Sequence, residues 1–185
     1  MMYDGVINKP PLDELYHFNK NHDPNNGQFT SGVGVDNSAI TLKKNEYVTD
    51  SLGYFKSKIK GDSGKEIQVS GHWNKDFKEN DADELLQSFS KNKKEITKKV
   101  LDTIVNDNSE YNVYESFAKP LGISKDEMRK NLDIHNIHLY DKDGTSEFSV
   151  WEKDGSKYDL TGGHSLDVEV NLRNGKVSKY YSMNG

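Results

Sequence analysis

His135-Asn136-Ile137-His138-Leu139-Tyr140, Glu147-Phe148-Ser149-Val150-Trp151, His164-Ser165-Leu166-Asp167-Val168-Glu169-Val170-Asn171 and Lys176 to Met183 are runs in which apolar and polar residues alternate. A period of two places one class of side chain on each face of a β-strand. Between and within these runs stand Asp143-Gly144, Asp154-Gly155, Gly162-Gly163 and Asn174-Gly175. Such pairs mark turns, because hairpin turns need positive φ at their central positions. With a further short run from Lys157 to Leu160, the C-terminal part of the chain reads as an antiparallel β-meander. Ile137 and Leu139, Phe148 and Val150, and Leu166, Val168 and Val170 share one face. The opposite face carries His138 and Tyr140, Glu147 and Trp151, Asp167 and Glu169, and reads as the solvated side.

Upstream, the spacing predicts helices. Asp81-Ala82-Asp83-Glu84 reads as a helix start, with Asp81 as N-cap and Glu84 as its reciprocal partner. Leu85, Phe89, Ile96, Val100 and Ile104 then form one apolar stripe, joined by Leu86 and Leu101. A second helix is predicted near Tyr111 to Ala118, stopped by Pro120-Leu121-Gly122. Ser124-Lys125-Asp126-Glu127 is a capping box for a short third helix reaching about Leu132, with Ile123 and Met128 spaced as a hydrophobic staple. Before the helices, Phe55, Ser57 and Ile59 alternate against Tyr54, Lys56 and Lys58. After the turn Gly61-Asp62-Ser63-Gly64, the residues Ile67, Val69, Gly71 and Trp73 alternate in turn. The order of hairpin, helices and meander predicts one α+β domain over residues 46–185, with the helices packed on one face of the sheet.

Residues 1–45 differ from everything after them. They hold Pro10-Pro11, a dense run of Asn, Asp and Gly, and no sustained apolar period, which predicts a flexible N-terminal segment. Over the whole chain, a formal net charge of -5 argues against a general nucleic-acid binder. The lysines at 91, 93, 94, 98 and 99 read as a solvated helix face. The absence of cysteine excludes disulfides, thiolate metal sites and a Cys nucleophile. No apolar run approaches the roughly 20 residues that span a bilayer, so the chain is expected in the cytoplasm or in a particle assembled there, with no membrane contact.

His164-Ser165 with Asp167 invites a hydrolase reading. A nucleophilic serine needs a base within hydrogen-bond reach and an oxyanion hole, and neighbours in a strand point to opposite faces. The sequence favours Gly163, His164 and Ser165 as a structural signature and assigns no catalytic residue, metal or cofactor. His17, His22 and Asp23 lack the spacing of a metal site on a helix. Asp141-x-Asp143-Gly144 has its glycine fourth, which suits a hairpin turn and not a calcium loop.

Glu14 to Gly32, with Tyr16-His17-Phe18, Asn21-His22-Asp23-Pro24 and Gly27-Gln28-Phe29-Thr30-Ser31-Gly32, resembles a short N-terminal motif of phage and prophage proteins from head-morphogenesis gene neighbourhoods. The resemblance implies a docking tag in which Tyr16, His17, Phe18, His22 and Phe29 contact a protein partner. Residues from about 47 onward resemble an uncharacterised bacterial family, domain-of-unknown-function family 2262. Leu52-Gly53-Tyr54-Phe55, Phe117-Ala118, the Ser124 capping box, Ile137 to Gly144, Asp159-Leu160 and Gly163-His164-Ser165-Leu166 carry that resemblance. It departs at Thr161-Gly162, where the family has bulky or aromatic residues, and around Lys157-Tyr158. The second resemblance implies a fold and no mechanism. The expectation is therefore a non-enzymatic accessory protein of a phage or prophage, bound to a virion or assembly protein through the tag. Asp167 and Glu169 on the acidic sheet face are expected to contact a protein partner. The alternatives are an immunity or anti-defence protein masking a partner, and a hydrolase centred on His164.

Overall fold

The computed structural model describes residues 45–108 and 112–182. Chain order gives β1 (Val48–Thr49), β2 (Tyr54–Lys60), β3 (Glu66–His72), α1 (Glu79–Val105), a π-helical turn (Tyr114–Ala118) and a 3-10 turn (Lys119–Leu121). Then follow α2 (Lys125–Asn131), β4 (Leu132–Leu139), β5 (Thr145–Glu152), β6 (Leu166–Asn171) and β7 (Lys176–Ser182). The architecture is α+β, as the sequence predicts. Its hairpin and its meander are parts of one sheet, with seven strands among the described residues standing in chain order. Every neighbouring pair is antiparallel except β3 and β4. A parallel pair needs a long crossover, and the helical segment supplies it.

One face of the sheet is closed by α1. Leu85, Leu86, Phe89, Ile96, Val100, Ile104 and Val105 on that helix are buried, as are Phe55, Ile67, Val69, Ile137, Leu139, Phe148, Val168 and Val170 on the sheet. Phe89 meets Phe148 edge-to-face with centroids 5.7 Å apart. Each fully buried side chain of this size contributes about 1.5–3 kcal/mol. The lysines at 91, 94, 98 and 99 stay on the exposed side of α1, as expected, while Lys93 reaches the Gly61 carbonyl at 3.2 Å.

The sequence misplaces the start of α1. Lys78 is the N-cap, and Asp81 lies in the first turn, accepting from the Lys78 amide at 2.8 Å. Glu84 instead faces Arg173 at 3.4 Å. The earlier start follows from Phe77, which is buried, and from Asn74 Oδ1, which accepts from the Asp76 and Phe77 amides and turns the chain into the helix. The predicted second helix is a π-helical turn over Tyr114–Ala118 that runs on into the 3-10 turn and ends at Gly122, whose φ is 72°; its predicted start at Tyr111 lies outside the described residues. The start of α2 is as predicted: Ser124 Oγ accepts from the Glu127 amide at 3.2 Å, and Ile123 and Met128 are both buried.

Lys157 to Leu160 is not a strand, and β6 begins at Leu166, two residues after His164. The cause is Glu152 at the end of β5. Its Oε1 accepts from the Leu160 and Thr161 amides, both at 2.6 Å, and its Oε2 accepts from the Thr161 hydroxyl at 2.9 Å. Amides that a strand would offer to its neighbour go to a carboxylate. The turn at Asp143-Gly144 is the predicted hairpin, with Asp141 Oδ1 accepting from the Thr145 amide at 3.1 Å.

Candidate functional site

The face of the sheet turned away from α1 carries the candidate site. Residues in register across a sheet share a face, and this one bears a polar row whose register positions run Lys56, Ser70, His138, Glu147, Glu169, Lys179 from β2 to β7. A second row runs Lys58, Gln68, Asn136, Ser149, Asp167. Tyr54 pairs with His72 beyond the first row, and the two rings meet edge-to-face at 4.7 Å. His138 and Tyr140 make the same contact at 4.7 Å. Tyr54, Tyr140 and Leu52 are 53%, 47% and 72% exposed, which makes them three of the largest apolar surfaces left uncovered among the described residues.

Asp167 departs from its predicted place. It lies on the solvated face but is 1% exposed, so it is not a surface contact residue. An aspartate is short, and on an interior strand its carboxyl sits at the level of the pleat below taller neighbours. Its Oδ2 accepts from Ser165 Oγ at 3.1 Å and its Oδ1 has no hydrogen-bond partner. Burial pushes this carboxyl above the usual carboxylate range, against the pull of Ser149 and Ser165, and the Glu147 charge adds to the rise. Glu169 is half-buried on the same face, as predicted for a wet position.

Around it, titratable groups act on one another. Burial pushes the His138 imidazole below its ordinary range, against the opposing Glu147 charge. Its Nδ1 lies 2.9 Å from Ser70 Oγ. Burial raises the Tyr140 phenol, and the Glu147 charge, its hydrogen bond with Glu147, and the charges of Asp167 and Glu169 raise it further.

The elevated Asp167 carboxyl has a defined sign for stability. A folded-state pKa above the unfolded value near 4 stabilises at low pH and loses that contribution as pH rises through the folded value. Asp167→Asn is therefore expected to flatten the decline in urea midpoint between pH 4 and pH 8. An unchanged pH profile would show that the carboxyl is not the cause.

Gly163, His164 and Ser165 sit in the turn before β6, where the His164 amide donates to the Thr161 carbonyl at 3.2 Å. Gly162 and Gly163 both have positive φ. Ser165 gives its hydroxyl to Asp167, which removes it from the role of a nucleophile activated by His164. The Ser70–His138 contact, not foreseen in the sequence, lies mid-strand, where the backbone amides belong to the ladder and offer no oxyanion hole. Among the described residues, no group of three His, Asp or Glu stands at metal-binding spacing, and no helix is long and apolar enough to cross a membrane. Tyr16, His17, Phe18, His22 and Phe29 lie outside the described residues. Comparison of the chain with protein-family models, with curated proteins and with solved structures finds no match.

Proposed function

We propose that this chain is a non-enzymatic binding protein of a phage or prophage, held to a virion or assembly partner by its N-terminal tag, with the open sheet face as the contact surface of its α+β domain. The observation that carries the reading is the exposed row of Tyr54, His72 and Tyr140 on a sheet face that no described helix covers. Aromatic side chains on a rigid scaffold bury large area at low entropic cost and supply most hot spots in protein interfaces. The phage setting is supported by the tag-like motif from Tyr16 to Gly32 in the sequence, and the assignment to family 2262 belongs to the same proposal.

An immunity or anti-defence role is the second reading. The observation favouring it is the pair of carboxylates, Glu147 and Glu169, opposed on the same face, which suits masking of a basic partner.

The test follows the chain into purified particles of the phage that encodes it. The full chain is expected to sediment with the particles in fixed ratio. Deleting residues 1–35 should abolish that association, and Tyr54→Ala/His72→Ala should reduce it about tenfold, the equivalent of 1.4 kcal/mol. A chain absent from particles, or one indifferent to both changes, would overturn the proposal.

A further inference from the structure

Ser70, His138 and Glu147 stand in register on β3, β4 and β5, side by side on the face turned away from α1. Ser70 Oγ lies 2.9 Å from His138 Nδ1, and both side chains are half-buried, within reach of solvent. The Tyr140 ring meets the imidazole edge-to-face at 4.7 Å and fixes its plane. A serine hydroxyl is a weak nucleophile until a neighbouring base takes its proton. Burial holds the His138 imidazole below its ordinary range, which favours the proton-accepting form, while the Glu147 charge favours the imidazolium once a proton arrives. With the ring proton on Nε2, the Ser70 hydroxyl donates to Nδ1. On the other side of Ser70, exposed Lys56 stands in register with it.

We propose that Ser70 is a nucleophile, with His138 as its general base, and that it takes one acyl group from an activated ester such as an aryl ester. The Ser70 oxygen forms a bond to the acyl carbon while its proton passes to His138 Nδ1, and the carbonyl electron pair moves onto the carbonyl oxygen. That pair returns, the bond to the aryloxide breaks, and the imidazolium gives its proton to the departing oxygen. The products are an acyl ester on Ser70 and a phenol, with His138 neutral again. Lys56 is the cation in register beside the transient oxyanion. The mid-strand amides belong to the ladder, so they do not help water form a second tetrahedral intermediate, and the acyl group stays on. The reaction is one event per chain, which leaves a covalent group on the open face of a protein that does not turn substrate over.

The test treats the full chain with p-nitrophenyl acetate and maps acetyl groups by peptide mass spectrometry. Hydroxylamine removes an ester from serine and leaves an amide on lysine, so it separates the two products. Ser70 is expected to carry about tenfold more ester than the exposed Ser51, Ser63 and Ser90 of the same chain. Ser70→Ala should abolish that ester, and His138→Gln should slow its formation about a hundredfold, the low end of general-base catalysis. The rate should rise with pH through a midpoint below the ordinary histidine value near 6.5. Glu147→Gln should move that midpoint further down, since the lost charge no longer favours the imidazolium. The neighbouring titratable and charged groups are His72, Tyr140 and Glu147, with Lys56, Asp167 and Glu169 beyond them. The midpoint must therefore coincide with that of the His138 ring itself, followed by NMR. If His138→Gln lowers the urea midpoint, the pH profile of the unaltered chain decides alone. Ester spread evenly over the four serines, a rate indifferent to His138→Gln in a folded chain, or a midpoint that is not that of His138 would overturn the proposal.

Discussion

Gly71→Ala will destabilise the protein by about 3 kcal/mol or more, at the upper end of what overpacking costs. A β-carbon at this position would lie 2.5 Å from Cζ and 2.6 Å from Cε1 of Phe55, and 2.8 Å from the Leu139 carbonyl oxygen. None of these atoms is free to give way. Phe55 is stacked on Trp73 with ring centroids 3.7 Å apart, and Tyr47 closes its edge at 5.4 Å. The Leu139 carbonyl belongs to β4, which pairs with β3 at the Gly71–Leu139 position. The added methyl therefore presses on the aromatic core and on the strand pair that joins the two parts of the sheet. The measurement is a urea midpoint for Gly71→Ala beside one for Gly71→Ala/Phe55→Leu. The double variant should recover part of the loss, since the ring contact is relieved while the carbonyl contact stays. A midpoint within error of the parent chain would show that the sheet opens at this point without cost.

Glu152→Ala is expected to cost about 3 kcal/mol and to release the segment between β5 and β6 before the rest unfolds. Three donors lose their acceptor at once: the Leu160 and Thr161 amides and the Thr161 hydroxyl. Leu160 and Thr161 are buried, so water does not readily replace the carboxylate. Hydrogen exchange should show both amides losing protection while amides of the central strands keep theirs. Glu152→Gln should cost only about 1 kcal/mol, because its amide oxygen still accepts the two backbone bonds and its NH2 group turns to the Thr161 oxygen. Equal loss in the two variants would mean that the segment is held by the charge of Glu152 and not by its hydrogen bonds.

These positions also divide what was legible in the sequence from what was not. Alternation put Gly71 on the buried face with Ile67 and Val69, yet nothing in the chain order says that the Phe55 ring lies across it. Glu152 reads as one more acidic residue in an acidic sheet, and its capture of Leu160 and Thr161 turned a predicted strand into a loop. Asp167 was assigned correctly to the face opposite the core and wrongly to the surface. Face follows from the period of two, whereas depth depends on the height of the side chains in the neighbouring strands. Glu147 and Glu169 were both assigned to the face opposite the core, and their direct opposition needed the register of β5 on β6.

The sequence by itself determined the elements whose causes are local. These are the β2–β3 hairpin and the β-meander from alternation and glycine turns, α1 from its apolar stripe, and α2 from the Ser124 cap. Each depends on residues a few positions apart, where backbone geometry fixes which side chains meet. Only the tertiary structure decided that β3 and β4 lie side by side in parallel, making one sheet of the two parts, and that Phe77 and Asn74 start α1 a turn early. It also decided that Glu152 holds the segment before β6. Contacts of this kind join residues far apart in the chain or depend on the reach of one side chain, and no periodicity in the sequence encodes them.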